Sequence, residues 1–173
     1  MAHALLETPS AWVARWAPLV TRGPVLDVAC GGGRHARLFL RRKLPVIGVD
    51  REARALPEGT TFVKADLEDG SPWPFSGQRF GGIVVANYLH RPLLPTLAAA
   101  LADEGVLIYE TFMVGNERFG KPSNRDFLLQ PGELLQAFGA LTVVAFEQGT
   151  TEKAVLQRIC VIRGNAGSVR IDA

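Results

Sequence analysis

The chain has 173 residues, of which 47% are hydrophobic and 21% are charged, and its formal net charge is +2. This composition is typical of one α/β domain with a buried core and excludes a disordered chain. The small net charge argues against nucleic acid or an anionic membrane as a partner, and no apolar stretch approaches the roughly 20 residues that cross a bilayer.

The first predicted element is a short helix over residues 2–17, which Pro9 divides. Trp12 and Trp16 are four residues apart, so they lie on one face of this helix. We interpret both as packing residues. The alternative is that they cover the bound ligand as a lid.

The most informative stretch is the run Val25–His35. It opens with a short apolar segment, Val25–Val28, which predicts a buried parallel strand that Asp27 interrupts. Gly31–Gly33 follow, where positive φ angles and a close approach of the backbone to a ligand are possible. A helix is predicted over Arg34–Arg42, with its N-terminus facing the strand end. This arrangement indicates a nucleotide-type cofactor site.

Two further predicted strands each end at a carboxylate. Asp50 closes the run Val46–Val49 and can accept two hydrogen bonds from a ribose diol. Asp66 closes the run Thr61–Ala65, where the carboxylate or its neighbouring backbone can bind the amine of an adenine. A glycine turn alone fits nicotinamide, flavin and S-adenosylmethionine equally. Three acidic strand ends favour S-adenosylmethionine.

These residues make the chain resemble the class I S-adenosylmethionine-dependent methyltransferases, and among them the small tellurite-resistance-type methyltransferases. The resemblance spans roughly Gly23–Arg163. The first motif of the family is D/E-x-G-x-G-x-G, which reads here as Asp27–Gly33 with Ala29 in place of the first glycine. The resemblance implies that Asp27 and the backbone that follows it face the methionine moiety, that Asp50 binds the ribose, and that the residues at Asp66 bind the adenine. The predicted cofactor-binding residues are Asp27, Ala29, Cys30, Gly31, Gly33, Asp50, Arg51, Asp66, Leu67 and Asn87.

Each of the three carboxylates also has a purely structural interpretation. The alternative for Asp27 is that it caps a helix. The alternative for Asp50 is that it only ends a strand. The alternative for Asp66 is that it starts a turn, in which its side chain bonds to nearby backbone amides. Cys30 is expected to be a small packing residue of the turn and not a nucleophile. The two cysteines have neither metal-ligand spacing nor a pairing framework, and no signal peptide is evident, so we expect a reduced, cytoplasmic protein without a metal.

The segment after the predicted strand Gly82–Ala86 is the expected place for chemistry, because ligands bind beyond the carboxyl ends of parallel strands. Tyr88 and His90 are the candidate catalytic residues there, and residues after this strand often approach the transferred methyl group in the family that the chain resembles. His90 is the candidate general base because its ordinary pKa is near 6.5. A structural histidine is the alternative, and a soft acceptor needs no base. The loop lacks the Asn/Asp-Pro-Pro-Tyr/Phe pattern of many DNA and protein amino-methyltransferases.

The second half of the chain completes the predicted sheet. Glu68–Gln78 is too rich in proline and glycine for a helix, a helix covers Leu93–Ala102, and a strand covers Gly105–Glu110. Thr111–Gln130 is a long polar loop that we interpret as a substrate lid, with a merely solvated loop as the alternative. The candidate substrate-binding residues are Glu110, Arg118 and Arg125.

The chain ends with a helix over residues 131–139 and two strands, Leu141–Glu147 and Ala154–Ile162. The connection between these strands is too short for a crossover helix, so they form an antiparallel hairpin and not the sixth parallel strand of a nicotinamide-binding fold. The predicted fold is therefore α/β, a single domain with a doubly wound, mostly parallel, seven-stranded Rossmann-like sheet that ends in an antiparallel hairpin.

We predict an N-terminal helical segment over residues 1–22, a methyltransferase domain over residues 23–163 and a polar tail over residues 164–173. The predicted function is S-adenosylmethionine-dependent methyl transfer to a small-molecule acceptor by a monomer or homodimer. The alternatives are a noncatalytic S-adenosylmethionine-binding module that acts with a partner protein, and a nicotinamide-dependent oxidoreductase.

Overall fold

The computed structural model describes residues 8–165, 167 and 169–171, so the first part of the helix predicted over residues 2–17 lies outside the described residues. The strands are β1 Val25–Val28, β2 Val46–Asp50, β3 Thr60–Lys64, β4 Phe80–Ala86, β5 Leu101–Phe112, β6 Thr142–Thr150 and β7 Val155–Ile162. The α-helices are α1 Ala11–Trp16, α2 Ala36–Leu40, α3 Leu94–Ala100 and α4 Glu133–Phe138.

The seven strands form one sheet in the order β3-β2-β1-β4-β5-β7-β6. Strands β1 to β5 are parallel to one another, whereas β7 runs antiparallel to both β5 and β6. The predicted α/β fold with its closing antiparallel hairpin is thereby confirmed. The carboxyl ends of β1 to β5 and the turn between β6 and β7 meet at one edge of the sheet, which we call the carboxyl edge.

The central strands are buried because helices cover both faces of the sheet. All four residues of β1 are buried, including Asp27. One face packs against α3 and α4, and the other against α1 and α2. Trp12 and Trp16 lie in the second of these cores with their ring centroids 5.8 Å apart in an edge-on contact. Their interpretation as packing residues, and not as a lid, is confirmed.

Two predicted helices are shorter in the structure. The predicted helix Arg34–Arg42 is reduced to α2, because Gly33 has a φ of 70° and the turn runs on through His35 before the helix begins. The predicted helix Leu93–Ala102 ends at Ala100, because the next residue is extended and pairs with Phe80 at the start of β5.

The segment predicted as a polar lid, Thr111–Gln130, contains regular secondary structure. Its first two residues belong to β5, and 3-10 turns cover Asn116–Phe119 and Arg125–Phe127. A bridge joins Met113 to Leu129, which is fully buried. The segment is therefore fastened to the domain at both ends.

Gly81 is expected to tolerate no side chain. A Cβ atom at this position would lie 2.1 Å from the carbonyl oxygen of Arg22, and the Gly81 N–H donates to Pro24 O at 3.0 Å, which keeps the strand from moving away. Gly81→Ala should therefore lower the free energy of unfolding by about 3 kcal/mol. Urea unfolding measures this, with the exposed Ser76→Ala as the matched control. Equal stability of the two variants would contradict the close contact.

Candidate functional site

The turn after β1 has the backbone that a close-lying ligand requires. Ala29, Gly31 and Gly33 all have positive φ angles, of 52°, 53° and 70°. Ala29 thus adopts a conformation that favours glycine, although it replaces the first glycine of the motif. A Cβ atom on Gly31 would meet no atom within 4 Å, so the space above this residue is open.

Asp50, at the end of β2, holds this turn in place. One oxygen of its half-buried carboxylate accepts the Gly31 N–H at 2.9 Å, and the other accepts the Glu52 N–H at 3.0 Å. Because a carboxylate oxygen can accept more than one hydrogen bond, both oxygens keep capacity for a ligand hydroxyl. The structural interpretation and the ligand-binding interpretation of Asp50 are therefore compatible.

Asp27 is a buried carboxyl group with an unpartnered oxygen. Its relative exposure is 1%, and its Oδ2 atom has no hydrogen-bond partner. Burial raises the pKa of Asp27 to about 8, and although Arg34 opposes this effect, Asp50 adds to it. A buried acceptor without a partner is costly, and a cationic or N–H-bearing ligand could supply the missing partner.

A groove of about 990 Å³ lies at the ends of β2 and β3. The predicted residues Arg51, Asp66, Leu67 and His90 all line it, together with the ring of Trp73. Asp66 also accepts the Glu68 N–H at 2.9 Å, which is the turn role described as its alternative. We call this depression the large groove.

Tyr88 is half-buried beside the large groove. Burial and the neighbouring Glu68 raise the pKa of the Tyr88 hydroxyl, which therefore stays protonated and acts as a hydrogen-bond donor. Its carbonyl oxygen accepts the hydroxyl of the buried Tyr109 at 2.8 Å, which fixes the loop after β4.

A second depression, of about 400 Å³, lies at the ends of β4 and β5 beside the turn between β6 and β7. We call it the small pocket. Asn87 and Glu110 line it, and Phe112 and Leu156 supply apolar surface. The Glu110 carboxylate accepts the Ser10 hydroxyl at 2.7 Å and forms an ion pair with Arg158, which also lines the pocket. The remaining lining residues are Thr151, Glu152, Lys153 and Ala154.

The structure separates the predicted substrate-binding residues. Glu110 faces the small pocket, whereas Arg118 donates to Thr150 Oγ1 at 2.9 Å and lies against the ring of Phe119. Arg125 is exposed within a 3-10 turn. Neither of these arginines lines the small pocket or the large groove.

Sequence reasoning missed three residues at the carboxyl edge: Ser10, His35 and Arg158. Ser10 accepts hydrogen bonds from Trp12 N and Val13 N as the N-cap of α1, a role that a serine ahead of a helical run indicates. Arg158 is the charged residue of β7, whose other residues are apolar apart from Gln157, and a charge in such a strand signals an internal ion pair. No comparable pattern marks His35.

Within residues 8–165, 167 and 169–171, no cluster of histidine, cysteine or acidic residues is arranged to bind a metal ion. In the same part of the chain, no helix has the length and the apolar composition needed to cross a membrane.

No protein-family model matches the sequence, and no curated protein matches it. Solved structures do match its fold. TehB from Haemophilus influenzae superposes with a TM-score of 0.72 at 14% identity over 90% of this chain and 62% of that one. The N-methyltransferase NodS from Bradyrhizobium japonicum WM9 gives a TM-score of 0.64 at 16% identity over 88% and 94% of the two chains.

A third similar structure is the 1,6-didemethyltoxoflavin-N1-methyltransferase of Burkholderia thailandensis, determined with 1,6-didemethyltoxoflavin and S-adenosylhomocysteine bound. It has a TM-score of 0.63 at 19% identity and covers 90% of this chain and 79% of its own. This chain thus spans less than two thirds of TehB but most of the other two proteins. The chain has the fold of the class I methyltransferases.

Proposed function

We propose that the protein binds S-adenosylmethionine and transfers its methyl group to a small-molecule acceptor. The observation that carries this proposal is the open turn at Gly31, whose N–H donates to the half-buried carboxylate of Asp50 and which follows the buried Asp27 with its unpartnered Oδ2 atom. A zwitterionic nucleoside needs an anionic group for its ammonium and an acceptor pair for its ribose. Asp27 in β1, when ionised, and Asp50 at the end of β2 would supply these groups beside the turn after β1.

The residues present fit the cofactor along its length. Asp27 would hold the ammonium group, because burial leaves its Oδ2 atom without another partner. Asp50 would accept the ribose hydroxyls, and Asp66 and Leu67 would bind the adenine in the large groove. The family resemblance and the similar fold support this assignment.

The small pocket is the proposed acceptor site. Its volume of about 400 Å³ is in the usual range for small-molecule sites, and it combines apolar walls with the polar groups of Asn87 and Glu110. S-adenosylmethionine supplies a methyl group on a sulfonium, which is already an activated leaving group. The protein therefore has to position the acceptor and exclude water.

His90 lies in the large groove and not in the small pocket. The alternative to the small pocket is an acceptor that enters from the large-groove side, with His90 as general base and Tyr88 as hydrogen-bond donor. An acceptor in the small pocket would instead use Glu110. Turnover by His90→Gln tests this alternative: lost turnover with unchanged affinity for S-adenosylhomocysteine places the acceptor on the large-groove side, and full activity shows that His90 is not a required base.

Calorimetric titration with S-adenosylmethionine and S-adenosylhomocysteine tests the proposal, after a check that no cofactor copurifies. Micromolar binding of both ligands, followed by turnover in an acceptor panel, supports the enzyme. Binding without turnover favours the module that acts with a partner protein. The proposal would be overturned if the folded protein bound NAD and bound neither S-adenosylmethionine nor S-adenosylhomocysteine.

Filling the small pocket is expected to block the acceptor and spare the cofactor. Leu156 is half-buried at the pocket wall, and Leu156→Trp places a larger side chain there. Turnover should fall at least about tenfold, while affinity for S-adenosylhomocysteine stays within about twofold. Val143→Trp, at the opposite end of the β6–β7 hairpin, is the matched control. Unchanged turnover in Leu156→Trp would exclude this pocket as the acceptor site.

A further inference from the structure

The segment Thr8–Ser10 lies across the carboxyl edge and touches both proposed sites. The Thr8 carbonyl oxygen accepts a hydrogen bond of 3.2 Å from Nη1 of Arg34, which lies in the turn that follows β1. The Ser10 backbone N–H donates to Nε2 of His35 at 3.3 Å, and the Ser10 hydroxyl donates to Glu110 at 2.7 Å. One residue of the N-terminal segment thereby connects the cofactor turn with the small pocket.

The bond from Ser10 fixes the protonation state of the His35 ring. Because Nε2 accepts a hydrogen bond, it carries no proton, and the proton of the neutral ring is on Nδ1. Burial lowers the pKa of His35 to about 3, and Arg34 adds to this effect, so the ring is neutral at ordinary pH. The Nδ1 atom lies 3.9 Å from Oδ1 of Asp27. The N–H of this ring therefore faces the carboxyl group.

We propose that His35 is a positioning residue that orients Asp27 for the cofactor and ties this carboxyl group to the N-terminal segment through Ser10. His35 Nδ1 and Asp27 Oδ1, 3.9 Å apart, are too distant for a hydrogen bond, so in this proposal the dipole of the ring N–H favours the ionised carboxylate. The proposal rests on the proposed function only where it concerns the cofactor.

Other charged and titratable groups also act on Asp27. Arg34 lowers its pKa and Asp50 raises it, and the thiol of Cys30 is close enough for Asp27 to raise the pKa of that thiol. The backbone N–H of Ala36 donates to Asp27 and lowers its pKa. All four are unchanged when only His35 is replaced, so substitutions at His35 isolate its own effect.

Two substitutions separate the two contacts of His35. The amide of asparagine reaches the place of Nδ1, so His35→Asn keeps an N–H toward Asp27 and loses the acceptor for Ser10. The amide of glutamine reaches the place of Nε2, so His35→Gln keeps the acceptor for Ser10 and loses the N–H at Asp27. Ser10→Ala, which retains the backbone N–H and loses only the hydroxyl, is the control.

The titration of Asp27 followed by carboxyl NMR tests the contact without any cofactor. His35→Gln should raise the titration midpoint by about one pH unit, and His35→Asn and Ser10→Ala should leave it within about 0.3 unit. Amide hydrogen exchange at Ser10 should show the opposite ranking, faster by at least about tenfold in His35→Asn and little changed in His35→Gln. Equal behaviour of the two variants in both measurements would overturn the proposal.

One further test uses the wild-type protein, so it does not depend on whether a variant folds. Nitrogen NMR of the His35 ring should show a protonated Nδ1 and an unprotonated Nε2, and the reverse tautomer would overturn the proposal. If the cofactor is bound, His35→Gln should weaken S-adenosylhomocysteine about fivefold or more at pH 7, with His35→Asn close to wild type. A wild-type protein that binds no adenosyl ligand refutes the proposed function, while the ring tautomer and the Asp27 midpoint still decide the role of His35.

Discussion

Asp27→Asn is expected to make the unliganded protein more stable at alkaline pH while it loses the cofactor. The pKa of Asp27 is raised from an ordinary 3.8 to about 8 by burial. Below about pH 4 the carboxyl group is protonated in both the folded and the unfolded state and has no effect on stability. Between about pH 4 and 8 the unfolded chain ionises and the folded protein does not, so the free energy of unfolding falls as pH rises.

The asparagine variant lacks this pH-dependent loss. We expect it to exceed the wild-type free energy of unfolding by about 2 kcal/mol near pH 8.5, because the unpaired amide that it buries offsets part of the gain. Toward pH 4 the gain disappears while the cost of the buried amide remains, so the variant should become the less stable of the two. Urea unfolding across this range measures the difference, with Asp103→Asn, an exposed substitution near the start of β5, as the control. A constant difference at all pH values would show that Asp27 does not titrate in the folded protein.

The same substitution should abolish most of the cofactor affinity. A neutral amide cannot pair with an ammonium group, and charged hydrogen bonds of this kind contribute about 2–3 kcal/mol, or roughly a hundredfold in affinity. Wild-type protein should release close to one proton from Asp27 on binding at pH 7, and the variant none. Calorimetry in buffers of different ionisation enthalpy measures this release. Binding without proton release would place the ammonium group away from Asp27.

The sequence predicted the parts of the fold that follow from local pattern. The runs predicted for β1 to β4 match these strands within one or two residues, and the buried strands β1 and β4 consist of little but apolar residues. The hairpin of β6 and β7 followed from a connection too short for a crossover. The limits of α2 and α3 could not be predicted from the local sequence pattern, because they depend on the φ angle of Gly33 and on the pairing of Leu101 with Phe80.

The candidate site was predictable where it depends on strand ends and not where it depends on contacts distant in the chain. The structure brings Arg51, Asp66, Leu67 and His90 together in one groove, because parallel strands end at one edge. The network of Ser10, Glu110 and Arg158 joins residues 100 and 48 positions apart, and no local pattern encodes such pairs. Arg118 and Arg125 were predicted from the composition of their loop, and composition does not predict where a side chain points.

Asp50→Ala is expected to cost both stability and affinity, because this carboxylate does two things. It accepts the N–H groups of Gly31 and Glu52, and we propose that it accepts the ribose hydroxyls as well. The loss of the two backbone bonds should lower the free energy of unfolding by about 1–2 kcal/mol. Asn124→Ala, which removes one bond of the same kind to Asp126 N outside both sites, should cost about half as much.

The affinity effect needs a ligand that separates the two roles. S-adenosylhomocysteine should bind Asp50→Ala at least about a hundredfold more weakly than wild type, since ribose hydroxyls bonded to a carboxylate contribute about 3 kcal/mol. Its 2′-deoxy analogue lacks one of these hydroxyls. Wild-type protein should therefore distinguish the two ligands by tenfold or more, whereas Asp50→Ala should bind them almost equally. A variant that still prefers the ribose form would assign the hydroxyls to another residue and leave Asp50 as the support of the glycine turn alone.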